Sequence, residues 1–344
     1  MASVALLLAL TAPTMSLELG LTDQSSAPKS TTSRQAYDLM TENFGAGSNA
    51  PLLVTANVDG PNDPTVTKLH DGLVASGHAR TVSEPQMSQD GTAAMITVIP
   101  QGSPTSDATS GLVDEVREDI IPASGADAHV GGSTAQLLDL ADLIGKRLPL
   151  IIAVVVGLSM LLLLIAFRSV VAPIQAAVVN LLAVGAAYGI VTGVFQEGIG
   201  ATDIGLDGAI PVVSYVPMML FAILFGLAMD YQVFLLSRVR EEIDAGKSAR
   251  RAVIDGLAGT GKVIGSAAAI MVAVFASFIL NGDPTTKEFG VGLASAILIA
   301  GSMVCVLLPA VMLLMGSRTW WLPRWLDRFL PHISLEGQPQ PQPA

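Results

Sequence analysis

The sequence predicts a membrane α-helical bundle joined to an extracytoplasmic α+β domain, and three observations predict it. First, 51% of the 344 residues are hydrophobic and only 14% are charged, with a mean hydropathy of +0.57. Soluble domains carry about 25% charged residues, so this balance marks a polytopic membrane protein. Second, five apolar runs, at 148–167, 171–195, 211–236, 263–280 and 289–315, each reach the roughly 17–25 residues that cross a bilayer. Third, the charge is lopsided. Residues 16–147 hold 7 Lys and Arg against 17 Asp and Glu, whereas the rest of the chain holds 11 against 12. The acidic stretch is therefore a water-facing unit of its own. Its sign argues against nucleic acid as a partner and against a polybasic lipid contact from that unit.

Taken in order, residues 4–13, VALLLALTAP, are apolar but too short to cross alone. No Lys or Arg precedes them, as a signal peptide requires. They read as the stub of a longer transmembrane helix, within a segment 1–16. Residues 17–141 read as mixed α and β. A helix is expected over 30–44, with Tyr37, Met40 and Phe44 on one face and Gly45 as its stop. A strand follows at 51–58, then a helix at 64–75 with Val66, Leu69 and Leu73 in helical spacing. Strands at 80–82 and 93–99 flank a polar turn. A helix over 107–121 places Leu112, Val116 and Ile120 together, with Asp107 as its N-cap. A short strand at 128–131 closes the unit. The order βαββαβ is the split βαβ, ferredoxin-like arrangement. No nucleophile, phosphate loop or metal spacing interrupts it, and Gly131-Gly132-Ser133 reads as a turn.

An amphipathic helix over 133–147 leads into the five-helix bundle, 142–316. Its runs are rich in Gly, Ala and Ser, which suits close packing in lipid. Pro217 is expected to loosen the third helix locally. Asn180, Ser266 and Ser277 are polar within the runs and are expected to make helix-packing hydrogen bonds. Cys305 is the single cysteine, so no disulfide framework or cysteine metal site exists. His70, His78, His129 and His332 are scattered outside the runs and read as surface residues.

Orientation follows from the loops. Arg168 lies in one hairpin, and Arg238, Arg240, Lys247, Arg250, Arg251 and Lys262 in another, while Arg318, Arg324 and Arg328 follow the last run. The opposite loops hold Glu197, Asp203, Asp207, Asp283 and Glu288 against Lys287. The positive-inside rule then puts the basic loops and the C-terminus in the cytoplasm and the α+β domain outside; Lys146 and Arg147 run against that count. Trp320, Trp321 and Trp325 read as an interfacial helix on the cytoplasmic surface. It forms, with the disordered GQPQPQPA tail, a segment 317–344.

One residue breaks the apolar pattern. Asp230 is the only Asp, Glu, Lys, Arg or His inside the five runs. An ionisable group in hydrocarbon costs at least about 2.5 kcal/mol, so it marks function by default. The plain alternative is that it reaches water, because Arg238 is eight residues on, about 12 Å along a helix. Tyr231 is its neighbour, and adjacent helix residues do not face each other. Each is therefore expected to reach toward another helix. An intramembrane aspartyl protease needs a second carboxylate sharing the proton, and Asp203 and Asp207 lie in a loop instead.

The stretch around Asp230, FGLAMDYQVFLLSRVREE, resembles the signature segment of the MMPL (mycobacterial membrane protein large) transporters of the resistance–nodulation–division superfamily. STTSRQAYDLMTENFG, GGSTAQLLDLADLI and WWLPRWLDRFLPH are similar too, so the resemblance covers essentially the whole chain, in order. It implies the C-terminal half only of a transporter built of two like halves, each with one span, a porter domain and five more spans. It implies Asp230 as proton carrier and Tyr231 as its hydrogen-bonding companion, completed by a matching pair on the other half. It further implies export of lipids or other hydrophobic compounds driven by the proton motive force. The expected partners are the bilayer, the proton, a hydrophobic substrate, and the missing N-terminal half or a second copy; no enzyme activity or cofactor is implied. The alternative is a truncated, non-transporting remnant or an accessory membrane subunit.

Overall fold

The computed structural model describes residues 2–17, 19–20, 22–60 and 62–328; His332 and the expected disordered tail lie outside the described residues. The chain opens with α1 (Ala2–Thr11), a 3-10 turn and the two-residue strand β1 (Leu19–Gly20). α2 (Thr32–Phe44) begins where the Thr31 hydroxyl accepts the Arg34 amide at 3.4 Å and stops at Gly45, whose φ is 86°. Tyr37 is its one buried residue. Met40 and Phe44, expected to pack beside it, are exposed.

Next come β2 (Leu52–Asn57), α3 (Pro64–Ala75), β3 (Ala79–Val82), β4 (Gln86–Met87) and β5 (Ala93–Pro100). α4 (Asp107–Glu115) passes through a wide π turn into α5 (Ile121–Ser124), and β6 (Asp127–Gly131) follows. α3 starts with Pro64 after Asp63, whose carboxylate accepts the Thr65 amide at 2.9 Å. Asp107 is the first helical residue of α4 rather than its cap, because Ser106 holds the cap position. The strands lie in the order β3-β5-β2-β6, with β4 beside β5, and every pairing in this sheet is antiparallel. Strand alternation turns Leu52, Val54 and Ala56 of β2, with Ala94, Ile96 and Val98 of β5, toward one face. That face packs on Leu69 and Leu73 of α3 and Leu112 and Val113 of α4. Each such Leu, Ile or Val is worth about 1.5–3 kcal/mol when fully buried.

The membrane part begins with α6 (Ser133–Phe167). Its 35 residues join the amphipathic lead-in and the first span into one helix, about 52 Å long at 1.5 Å per residue. α7 (Val171–Val191) continues through a π turn, and β7 (Val212–Val213) precedes α8 (Tyr215–Asp244). α9 (Ala249–Ala276), α10 (Pro284–Ser302), a π turn and α11 (Leu308–Met315) complete the bundle, and α12 (Arg324–Asp327) follows. Among the described residues five helical segments are long and apolar enough to cross a membrane, so the chain is a multi-pass membrane protein. Among the described residues the expected surface helix comprises the four residues of α12, with Trp325 in it and Trp321 before it both exposed.

Three expectations about the bundle change. α10 starts at Pro284, capped by Asp283, which accepts the Thr286 amide at 2.7 Å. Lys287 and Glu288, expected in a loop, are therefore helical, and both are buried. Pro217 is the third residue of α8, in the turn whose amides have no intrahelical acceptor, so it costs no hydrogen bond. Ser266 and Ser277 donate to carbonyls of their own helix, Val263 at 3.0 Å and Val274 at 2.6 Å, rather than to neighbours.

α8 is the hub. α6 packs on α7, α7 on α10 and α10 on α9, and all four touch α8. They form an arc around it that stays open between α9 and α6. α1 lies on the outside of α7, where Gly185 and Gly189 let the backbones approach: a Cβ at Gly189 would fall 1.8 Å from the Leu10 carbonyl oxygen. At the end of the bundle away from the domain, the segment after α11 is tied back. Ser169 donates to the Thr319 carbonyl at 2.6 Å, the Val170 amide to that of Trp321 at 3.1 Å, and Arg168 pairs with Asp327. Trp320 sits edge-on to Phe167 with ring centres 6.3 Å apart, and the Arg240 guanidinium lies 5.2 Å from its ring centre.

Candidate functional site

Asp230 lies midway along α8, fifteen residues or about 22 Å from its start. The apolar periodicity of the helix decides which way it faces. Val216, Leu220, Leu224, Ala228, Leu235 and Val239 fill the side turned to the arc and are buried. Met219, Ala222, Gly226, Asp230, Phe234 and Arg238, three or four residues apart, form the opposite stripe and are exposed. That stripe runs down the open sector between α9 and α6. Among the described residues Asp230 has no hydrogen bond and no ion pair. It sits between Gly226 and Phe234, too far up the helix to share the Arg238 cluster.

Tyr231 is half-buried and packs on both apolar cores of the bundle. Its hydroxyl has no hydrogen-bond partner among the described residues, Asp230 included. The structure thus sets the two sequence-marked residues side by side in the chain without joining them. Tyr231 meets the other helices through apolar packing alone, and among the described residues neither side chain hydrogen-bonds to another helix.

Sequence reasoning missed the next residue. Gln232 is fully buried on the far side of α8, and its Nε2 donates to Asn180 Oδ1 on α7 at 2.6 Å. Asn180 Nδ2 in turn approaches Met229 Sδ at 3.9 Å. This pair fulfils the helix-packing role expected of Asn180 and locks α8 in rotation, so that Asp230 faces outward. Gln232 Oε1 is buried without a partner, which leaves a polar atom immediately behind Tyr231. The available signal was the Gln itself, a polar residue two positions after Asp230 in an apolar run.

Below the site the basic exit is internally neutralised. Arg238 pairs with Glu241 and, at 3.6 Å, with Glu242. Lys247 lies 2.5 Å from Glu242 and 2.8 Å from Asp255, and Arg251 lies 3.0 Å from Asp255. An apolar groove of about 260 Å³ between α1 and α10–α11 is lined by Leu6, Leu10, Leu298, Met303 and Leu307. A polar cleft of about 370 Å³ opens where the domain meets the bundle, between Lys29, Arg34 and the Leu206–Pro211 loop. Neither touches Asp230.

A profile of the MMPL family matches residues 25–334. The chain belongs to the MMPL family. Members of that family are transporters, not enzymes. This MMPL chain is 35% identical to membrane protein YdfJ of Bacillus subtilis, over 97% of this chain and 47% of that protein. It is 32% identical to the mycolic acid-containing lipids exporter MmpL11 of Mycolicibacterium smegmatis, over 97% of this chain and 36% of the relative. It is 33% identical to the heme uptake protein MmpL11 of Mycobacterium tuberculosis, over 85% of this chain and 31% of the relative. The MMPL chain thus spans about half the length, or less, of the curated relatives it matches.

Proposed function

We propose that this chain is the C-terminal half of a proton-motive-force-driven exporter of lipids or other hydrophobic compounds, working with a second half or a second copy of itself. One observation carries the reading: a carboxyl midway along a membrane-spanning helix, on an exposed stripe, with no hydrogen-bond or ion-pair partner among the described residues. A facing helix laid over that stripe would complete the site, with Asp230 as proton carrier and Tyr231 as its hydrogen-bonding companion across the interface. The basic loops support a cytoplasmic far end and an extracytoplasmic domain in the cell membrane. The strand order supports reading 17–141 as a ferredoxin-like porter domain, with 1–16 as the membrane segment before it, 142–316 as the bundle and 317–344 as the cytoplasmic interfacial end. The printed names of two relatives, a lipid exporter and a heme uptake protein, support hydrophobic cargo as the substrate class.

In this mechanism a proton loads Asp230 from outside and leaves inside, with the membrane potential supplying roughly 2.3 kcal/mol per charge per 100 mV. Loss or gain of the carboxylate charge changes how the α8 stripe packs on the facing helix. α6 runs without a break from bundle to domain and carries the change there. The test is proton flux into proteoliposomes holding the assembly that the chain forms, read by an entrapped pH dye under an imposed potential. Asp230→Asn is expected to abolish it and Tyr231→Phe to slow it; undiminished flux in Asp230→Asn removes the relay role.

A further inference from the structure

Among the described residues Glu288 is the one buried carboxyl, and the relay described above does not use it. It lies on the first turns of α10, at the domain end of the membrane part, and is 0% exposed. Its Oε2 accepts the Val213 amide at 3.1 Å, and its Oε1 is buried with no hydrogen-bond partner. No cation among the described residues pairs with it. Lys287, next in sequence, turns its ammonium to the Ile204 carbonyl instead. The titratable groups around it at this end are Asp283 at the cap of α10, Lys287 on α10, Tyr215 on α8 and Tyr188 on α7. The residues of β1, β7 and the Ser277–Leu280 turn carry none.

Buried polar atoms are satisfied almost without exception, and a buried charge needs a counter-charge. A buried carboxylate with one donor and no cation lacks a counter-charge, and a single proton removes that charge. What it holds matters as much. Val213 belongs to β7, which is clamped from its other side by β1 in the parallel register Leu19↔Val212 and Gly20↔Val213. The Ser214 amide donates to the Gly20 carbonyl at 3.2 Å, and α8 starts at the next residue. Glu288 therefore touches a point where the chain leading to the α+β domain meets the helix that carries Asp230.

We infer that Glu288 is a second proton-binding carboxyl of this protein, and that its protonation state sets how firmly α10 holds the strand leading into the Asp230 helix. A carboxylate accepts an amide hydrogen about twice as strongly as a neutral acid does. Protonation from the domain side thus loosens β7 and deprotonation tightens it. The inference extends the proton-coupled reading to a separate carboxyl, but it stands on the surroundings of Glu288 alone.

The experiment uses the full chain in lipid nanodiscs. Infrared difference spectra across pH read the carbonyl stretch of protonated carboxyls, and amide hydrogen exchange reads Val213, for wild type, Glu288→Gln and Asp230→Asn. A band that titrates in wild type, persists in Asp230→Asn and is lost in Glu288→Gln is expected. As it grows, exchange protection at Val213 should fall about tenfold, the loss of one hydrogen bond to a charged group, and in Glu288→Gln it should stay low at every pH. Identical spectra for wild type and Glu288→Gln, or Val213 protection that ignores the band, overturn the inference. If Glu288→Gln does not fold, Glu288→Asp replaces it: a displaced titration midpoint supports the assignment and an unmoved one overturns it. Failure of the relay reading is distinguishable, since flux undiminished by Asp230→Asn leaves the Glu288 band in place.

Discussion

Asp230 is exposed and makes no hydrogen bond or ion pair among the described residues, so the proposed relay role is separable from folding at this position. Asp230→Asn is expected to leave thermal stability in detergent unchanged to within about 0.5 kcal/mol, as for other surface changes, while proton flux is lost. Gln232 behaves in the opposite way. Gln232→Leu strips Asn180 of its buried donor, so a loss of about 1 kcal/mol is expected, read as a lower melting temperature. In the domain, Glu115 accepts from His78 Nδ1 at 3.0 Å and from the Ser76 hydroxyl at 2.8 Å. The His78 contact foremost, aided by Ser76 and opposed by partial burial, holds the carboxyl below its usual range. A lowered folded value means that the stabilisation is complete above about pH 4.3 and is lost as pH falls through the folded value. Amide exchange in α3 and α4 of the full chain should therefore quicken in that acidic window, and Glu115→Gln should flatten the response.

The elements show which signals a sequence carries. α3 lies where its spacing places it because Asp63, Pro64 and the Val66–Leu69–Leu73 stripe all point one way. The bundle helices are legible because hydrocarbon admits only long apolar runs. Their ends are not: counting apolar residues starts the last run at Phe289, whereas the helix starts at its cap, Asp283, and so takes in Glu288. β1 and β7 are two residues each and pair across nearly two hundred positions, which no local pattern encodes. Asp230 and Tyr231 are legible as chemistry, but the outward aim of Asp230 depends on Gln232 meeting Asn180, a tertiary contact. The α1–α7 seam gives a test at this scale. Gly189→Ala puts a Cβ against the Leu10 carbonyl, so α1 should lift from α7 with a loss of more than about 1 kcal/mol. A spin-label distance from Thr11 to α7 would lengthen; an unchanged distance contradicts the packing.

For the whole molecule, the open sector between α9 and α6 predicts an assembly of more than one chain. With Cys305→Ser removing the native thiol, Gly226→Cys should form a disulfide between copies in membranes, and the mass in a mild membrane mimic should exceed one chain. A monomer that never cross-links points to a different partner chain over the stripe, which the co-purifying proteins would then reveal. The ties among Ser169, Thr319, Trp320, Arg240, Arg168 and Asp327 have a consequence for such an assembly. They fasten three separate parts of the chain at the end of the bundle farthest from the domain, whereas the ties at the domain end, Glu288 to the Val213 amide, Gln196 to the Ser16 carbonyl and Lys287 to the Ile204 carbonyl, run through loops and a two-residue strand pair. The fastened end then serves as a fulcrum. Small tilts about it grow with distance along helices of about 45–52 Å, so the widest excursion falls at the mouth beneath the domain.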